Sequence, residues 1–304
     1  MLSWYFTRLA SIQQNPPFFS LRMLLSLFQI LSRLPLPLMH AIGAAAGWVV
    51  YASSPAYRRR MQTHLAQAGY ASVLRQAIAE AGKSLLELPF IWCGKPERVL
   101  HSAQVHDWHV AQAALDQGRG VIFLTPHLGC FEIIAQVIAS RTPLTALYRP
   151  PRMAMLQPLL EQAREREGLA LAPANVAGVR VLLRTLRNGG SVGLLPDQVP
   201  GTGEGVWTDF FGKLAYTMTL PAKLAQMSGA PLVLSYAERL PHGAGYAVRF
   251  VPFDAELNGS PEQQARIINA AMETLVARCP AQYFWSYNRY KGRPPVQETS
   301  GVSA

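Results

Sequence analysis

Two side chains in the stretch "LTPHLGCFEII" (residues 124–134) could do proton chemistry together: His127 and, five residues on, Glu132. An ionised carboxylate that accepts from one imidazole nitrogen fixes the tautomer and leaves the other nitrogen as a base. If a helix opens near Leu128 or Gly129, Glu132 falls in its first or second turn, where the helix N-terminus favours its charge. The spacing then predicts that the two side chains meet. Taken singly each residue is ordinary: a lone His is usually a satisfied structural group, and a lone Glu a solvated one. Cys130 raises a thiol nucleophile as a second option. No GxSxG elbow is present, which argues against a serine hydrolase of the α/β type. A base without a protein nucleophile suggests that a substrate hydroxyl attacks. Acyl transfer from an activated thioester needs such a base, donors for the oxyanion and an apolar groove.

These residues need a scaffold. "GVIFLTP" (120–126) reads as a buried strand, followed by a helix over "FEIIAQVIAS". "LTALYRP" (144–150) and "SVGLLPDQ" (191–198) read as further strands, with helices over 155–168 and across "VRVLLRTLRNGG". "PLVLSYAE" and "YAVRFVPF" (246–253) are strands, and a helix is expected near 221–228. "SPEQQARIINAAMETLVARCP" is the cleanest helix, with Ser260 as N-cap, Pro261 at N1 and Gln263 completing a capping box. "VLRQAIAEAGKSLLEL" (73–88) has helical spacing and stops at Pro89. Strands alternating with helices predict an α/β fold with a mixed, largely parallel central sheet flanked by helices. Ligands of such sheets gather beyond the carboxyl ends of the strands. There the sequence places His127, then Tyr148 and Arg149, then Asp197 and Gln198.

The chain has 304 residues, half of them hydrophobic and only 15% charged, with 28 Lys and Arg against 18 Asp and Glu. Low polarity with positive charge favours a membrane partner over nucleic acid, which would not explain the apolar N-terminus. Residues 34–57 carry no Lys, Arg, Asp or Glu before "RRR" at 58–60, and their length approaches the roughly 20 apolar residues that span a bilayer. Gly43 and Gly47 form a GxxxG, which permits close helix contact. The organisation expected is an anchor of apolar helices over 1–57, a catalytic domain over 58–294 and a disordered tail over 295–304. A buried helical hairpin in a soluble fold is the alternative for the anchor. Three scattered cysteines (Cys93, Cys130, Cys279) suit a reducing compartment. "GKS" is no P-loop, because position 77 is Ala. His101, His106 and His109 invite a metal reading that lacks a second ligand cluster, so neither metal nor cofactor is expected. "GTGEG" (201–205) lacks a third glycine and reads as a mobile loop over substrate.

"PHLGCFE" resembles the HX4(D/E) signature of the lysophospholipid acyltransferase superfamily. "YRPPR" (148–152), "LLPDQVPGTGEGVWTDFFGKLAYTMT" (194–219) and "PAQYFWSYNRYKGRP" (280–294) resemble, in order, later blocks of one branch, the late acyltransferases of lipid A biosynthesis (the lauroyl/myristoyl acyltransferase family). The glycerol-phosphate branch usually reads EGTR where this chain reads "PDQV". The resemblance covers nearly the whole chain and implies a glycerolipid acyltransferase-like fold. It implies an acyl carrier protein thioester as donor, and an anionic, phosphorylated, Kdo-bearing disaccharide lipid as acceptor. The catalytic domain would lie on the cytoplasmic face of a bacterial inner membrane. His127 would be the base oriented by Glu132. Tyr148, Arg149, Arg164, Asp197, Gln198, Phe211 and Gly212 would contact substrate. Arg149 and Arg164 are candidates for phosphate or oxyanion, and Asp197 for holding an arginine or a sugar hydroxyl. Acyl transfer to another lipid (a glycolipid or ornithine lipid) and a non-catalytic, basic membrane-surface protein remain as alternatives.

Overall fold

The computed structural model describes residues 21–148 and 167–292. In chain order the helices are α1 (Leu21–Leu31), α2 (Leu36–Ser53), α3 (Pro55–Gln67), α4 (Leu74–Leu86), α5 (Leu88–Cys93), α6 (Pro96–His101), α7 (Trp108–Leu115), α8 (Phe131–Ala139), α9 (Val176–Arg187), α10 (Leu220–Ser228) and α11 (Pro261–Val276). The strands are β1 (Ala103–His106), β2 (Val121–Leu124), β3 (Leu144–Tyr148), β4 (Leu169–Pro173), β5 (Ser191–Leu194), β6 (Gly205–Phe210), β7 (Lys213–Met218), β8 (Leu232–Arg239) and β9 (Tyr246–Pro252).

Seven strands form one sheet in the order β1-β9-β8-β2-β5-β3-β4, and β6 and β7 form a separate antiparallel hairpin. Within the sheet β8, β2, β5, β3 and β4 run parallel, and only the β8–β9 pairing is antiparallel. The mixed, largely parallel sheet expected from the sequence is therefore present. Helices cover both faces, so the central strand β2, "VIFL", is buried along its whole length. That explains its unbroken apolar run: a strand covered on both sides has no solvent face to be polar. Each fully buried Ile, Phe or Leu of this strand contributes roughly 1.5–3 kcal/mol.

One core lies between the sheet and α3, α4, α9, α10 and α11, including Met61, Leu65, Ile122, Leu124, Leu182 and Met272. The other lies between the sheet and α5 to α8, including Phe90, Ile91, Phe123, Ile133, Val137 and Phe250. Ser260 accepts from the Gln263 N–H and Gln263 Oε1 accepts from the Ser260 N–H, so α11 opens with the expected capping box. Pro89 does not end a helix. It lies in the first turn of α5, where a missing N–H costs nothing.

The glycine-rich stretch 201–205 leads directly into β6, and its backbone is held. Tyr216 Oη accepts from the N–H groups of Gly203 and Gly205, and Glu204 accepts from Gly201. The expected mobile loop is thus the lead-in to a hairpin. Its turn places Phe211 at φ 50° and Gly212 at φ 75°, the left-handed pair that a tight hairpin requires.

Candidate active site

The register of the sheet builds the site. β2 and β5 are parallel neighbours with Leu124 opposite Leu194. Each chain then leaves its strand, and three residues later come His127 on one side and Asp197 on the other. Asp197 Oδ1 lies 2.7 Å from His127 Nδ1, and Asp197 Oδ2 accepts from the His127 backbone N–H at 2.8 Å. Gln198 Nε2 donates to His127 Nε2 at 2.9 Å. This pattern requires the proton on Nδ1 and the lone pair on Nε2.

The sequence reading gave the orienting role to Glu132, and here the structure differs. Nδ1 is taken by Asp197, and Glu132 accepts from the Trp92 indole N–H at 3.1 Å. Asp197 was expected to hold an arginine or a sugar hydroxyl and instead grips the histidine. Burial pushes the Asp197 carboxyl up. The charge of His127, the two hydrogen bonds from that residue and the charge of Arg289 outweigh burial, so its pKa lies below the ordinary carboxylate value. Asp197 therefore carries its charge although only 1% of its surface is left to solvent.

The loop that carries His127 is clamped from two sides. Gly129 sits at φ 57°, and a Cβ there would run into the carbonyl oxygen of Ala237, so only glycine fits. Its N–H donates to the Gln282 carbonyl, the Cys130 N–H donates to the Ala237 carbonyl, and the Phe284 N–H donates to the His127 carbonyl. Arg239 Nη2 donates to the Gly129 carbonyl at 2.7 Å. Arg239 is itself held by Glu87 and Glu80, and Glu87 also pairs with His40 and accepts from Tyr246 Oη. Cys130 is buried beside this cluster. Burial and the charge of Glu87 raise its thiol well above the usual range, which removes it as a nucleophile.

A cavity of about 210 Å³ opens at His127 and Glu132. Its wall is mostly apolar, including Phe131, Leu147, Tyr148, Leu171, Leu195 and Met218, with Gln198 beside His127. A second, open groove of about 880 Å³ shares Trp92 and Gln136 with it and runs past Arg141 to Glu167. Although larger, that groove does not include His127, so the smaller cavity is the one that fits the chemistry.

Of the residues named from the sequence, His127, Glu132, Tyr148 and Gln198 line one cavity, and Asp197 lies directly behind His127. Arg149 and Arg164 lie outside the described residues. Phe211 and Gly212 are not in the cavity wall. They make the β6–β7 turn, where the Phe211 N–H donates to Glu273, the Gly212 N–H to Asp209, and the Phe211 ring packs against Tyr70 and Trp285. His101, His106 and His109 do not come together, and no group of three potential metal ligands occurs among the described residues. Sequence reasoning missed Trp92, Arg239, Gln282 and Arg289. The last two fall in the block "PAQYFWSYNRY", which carries the signal without the contacts. The buried Arg289 donates to the Tyr216 carbonyl and to Thr217 Oγ1.

Comparison with known proteins gives a consistent result. The chain is 29% identical over 180 residues to a "Lipid A biosynthesis acyltransferase" of Haemophilus influenzae, a match covering 58% of this chain and 55%, about half, of that relative's length. It is 28% identical over 223 residues to the "Lipid A biosynthesis palmitoleoyltransferase" of Escherichia coli K12, covering 72% and 71% of the two chains. It is 25% identical over 272 residues to the "Lipid A biosynthesis myristoyltransferase" of the same organism, covering 85% and 81%. The sequence model of the "Bacterial lipid A biosynthesis acyltransferase" family matches residues 19–292, a span that holds every residue of the site described above. The chain belongs to the bacterial lipid A biosynthesis acyltransferase family.

Proposed function

We propose that this chain transfers a fatty acyl group from an acyl carrier protein thioester to the hydroxyl of a 3-hydroxyacyl chain on a lipid A precursor, at the cytoplasmic face of a bacterial inner membrane. The observation that carries the reading is the His127–Asp197 pair at an apolar cavity, with Nε2, which Gln198 holds, as its base position. The names of the relatives supply the acceptor class.

In this reaction His127 Nε2 takes the proton of the acceptor hydroxyl as its oxygen attacks the thioester carbonyl. Asp197 fixes the Nδ1–H tautomer and stabilises the imidazolium that forms. The tetrahedral intermediate expels the carrier's thiolate, which takes the proton back from the imidazolium. Gln198 holds Nε2 in the resting enzyme, and its amide N–H serves as a donor for the developing oxyanion once the substrate displaces it. Glu132 is the second carboxylate at the cavity and adds negative potential for the imidazolium from the substrate side. Arg149 and Arg164 are assigned to the acceptor's phosphates, where a guanidinium pairs bidentately. No step requires a metal or cofactor. The +10 balance suits both an anionic acceptor and an acidic carrier.

The test is transfer by the purified full-length chain from an acyl carrier protein thioester to a Kdo-bearing lipid A precursor. Mass spectrometry should show one added ester-linked acyl chain. Thioester turnover without change in the acceptor, or transfer only to another lipid, would overturn the reading.

A further inference from the structure

α2 is 18 residues long and the one described helix whose length and composition would let it cross a bilayer. It is apolar all round, so it needs apolar cover on both sides. α4 supplies one side. Gly43 and Gly47 of α2 meet Gly82 of α4 so closely that a Cβ on Gly82 would strike the Gly43 carbonyl oxygen, and one on Gly47 the Ile78 carbonyl oxygen. The contact extends beyond the glycines. Gly243 abuts Pro37 at the start of α2, and His40 in its second turn pairs with the buried Glu87 at 3.3 Å. Val50 and Tyr51, near its end, join the core around Tyr57 and Met61. The GxxxG is thus used up inside the catalytic domain.

The opposite side of α2 is open. Leu38, Ile42, Ala45 and Val49 lie along it at i, i+4, i+7 and i+11, all exposed, with Val49 at 66%. Trp48 flanks this row, edge-on to Tyr51. Leu27 and Ile30 of α1 add to the exposed apolar surface. No charged residue interrupts the row, and exposed cations flank α2 along the chain. Arg33 precedes α2 and Arg59 follows it, both exposed and neither in an ion pair among the described residues.

We infer that α1 and α2 form an in-plane docking face for an anionic phospholipid bilayer, with α2 lying in the interface rather than crossing it. A helix of this length rises only about 27 Å, against a hydrocarbon core of about 30 Å. To span, it would carry its whole packed partner with it, and α4 bears Arg75, Glu80 and Lys83, groups that hydrocarbon does not accept. Lying flat, α2 buries the exposed row among acyl chains and places the arginines at headgroup phosphates. A second copy of the chain is the weaker occupant, since pairing two such faces would bring together arginine rims on two chains of +10 each.

The inner sides of the same two helices reach the candidate site. Phe28 of α1 stacks on Trp92, whose indole donates to Glu132. His40 of α2 holds Glu87, which holds the Arg239 that grips the His127 loop. The inference deepens the reading above, in which the acceptor is a membrane lipid, by setting the cavity mouth close to the bilayer surface.

Two measurements on the full-length chain test it. Pro35→Cys and Ser53→Cys, each in a Cys93→Ser background, put a thiol at either end of α2. Both should react with a membrane-impermeant maleimide in inside-out inner-membrane vesicles, and neither in right-side-out spheroplasts. Labelling of the two ends from opposite sides would establish a spanning helix and overturn the inference. In the second measurement, Ile42→Glu with Val49→Glu should weaken partition of the purified chain onto phosphatidylethanolamine/phosphatidylglycerol vesicles by at least about tenfold. Transfer to a detergent-dispersed acceptor should stay near wild type. Unchanged partition, or a lipid-free dimer that this variant breaks without altering partition, would also overturn it. Loss of the proposed acyl transfer activity with the labelling and partition results intact would instead count against the function alone.

Discussion

Asp197 grips His127 twice, through the ring at 2.7 Å and through the backbone N–H at 2.8 Å. One carboxylate thus fixes both the tautomer of the imidazole and the conformation of the loop that carries it. His127→Ala should lower kcat by roughly 100- to 10,000-fold, and Asp197→Asn should fall in the same range because an amide can stabilise the wrong tautomer. Both proteins should bind acceptor with KM within about threefold of wild type. Turnover near wild type in purified Asp197→Asn would remove this residue from the mechanism. The Asp197 carboxyl titrates below the ordinary carboxylate range, so the acid limb of the pH–rate profile should not follow its protonation.

Glu132 is predicted to matter less than Asp197. It lines the cavity and accepts from Trp92, while Asp197 holds the ring. Glu132→Gln keeps the indole contact and removes a charge, so kcat should drop by about 10- to 100-fold. The comparison with Asp197→Asn decides the assignment. If Glu132→Gln is the more damaging of the two, Glu132 is the orienting carboxylate in the working enzyme.

How far the sequence disclosed this arrangement depends on the range of the contact concerned. His127, Tyr148 and Gln198 were legible because each ends or follows an apolar strand, and parallel strands deliver their carboxyl ends to one edge. The partner of His127 was not. Glu132 is near in sequence, but Asp197 becomes a neighbour only through the pairing of Leu124 with Leu194, a register that no local pattern encodes. GxxxG announced a close contact without its partner, because Gly82 belongs to another helix. The β6–β7 hairpin was hidden by the glycines before it and by its turn residue, since Phe211 is an unusual choice for a positive φ.

The buried cluster behind the His127 loop should govern acid stability. Burial would raise the Glu87 carboxyl, but the charge of Arg239 and hydrogen bonds from His40 and Arg239 outweigh this and hold it at about 2, against 4.5 ordinarily. A depressed folded-state value means that the stabilisation is fully present above about pH 4.5 and is lost as pH falls toward 2. The urea midpoint should therefore decline across that window. Glu87→Gln should flatten the decline and lower stability at pH 7 by roughly 3–5 kcal/mol, because Arg239 is left as a buried charge without its main partner. That corresponds to a Tm lower by on the order of 10 °C. A variant within about 1 kcal/mol of wild type would mean that the cluster adds little net stability.

Gln198 occupies the nitrogen that must act as the base, so its removal should have opposing effects. Gln198→Ala frees Nε2 in the resting enzyme but takes away an oxyanion donor. Loss of one such donor costs about 100- to 1,000-fold in kcat in other acyl-transfer sites, and freeing the lone pair recovers about 1 kcal/mol, the worth of one neutral hydrogen bond. The net result should be a drop in kcat of roughly 20- to 200-fold, with little change in KM for the thioester. Gln198→Glu separates the two roles. A carboxylate beside Nε2 favours the protonated ring, so the acid limb of the pH–rate profile should move to higher pH while the oxyanion donor is also lost. An acid limb that stays in place, together with wild-type kcat in Gln198→Ala, would show that Gln198 leaves the ring before catalysis and takes no part in it.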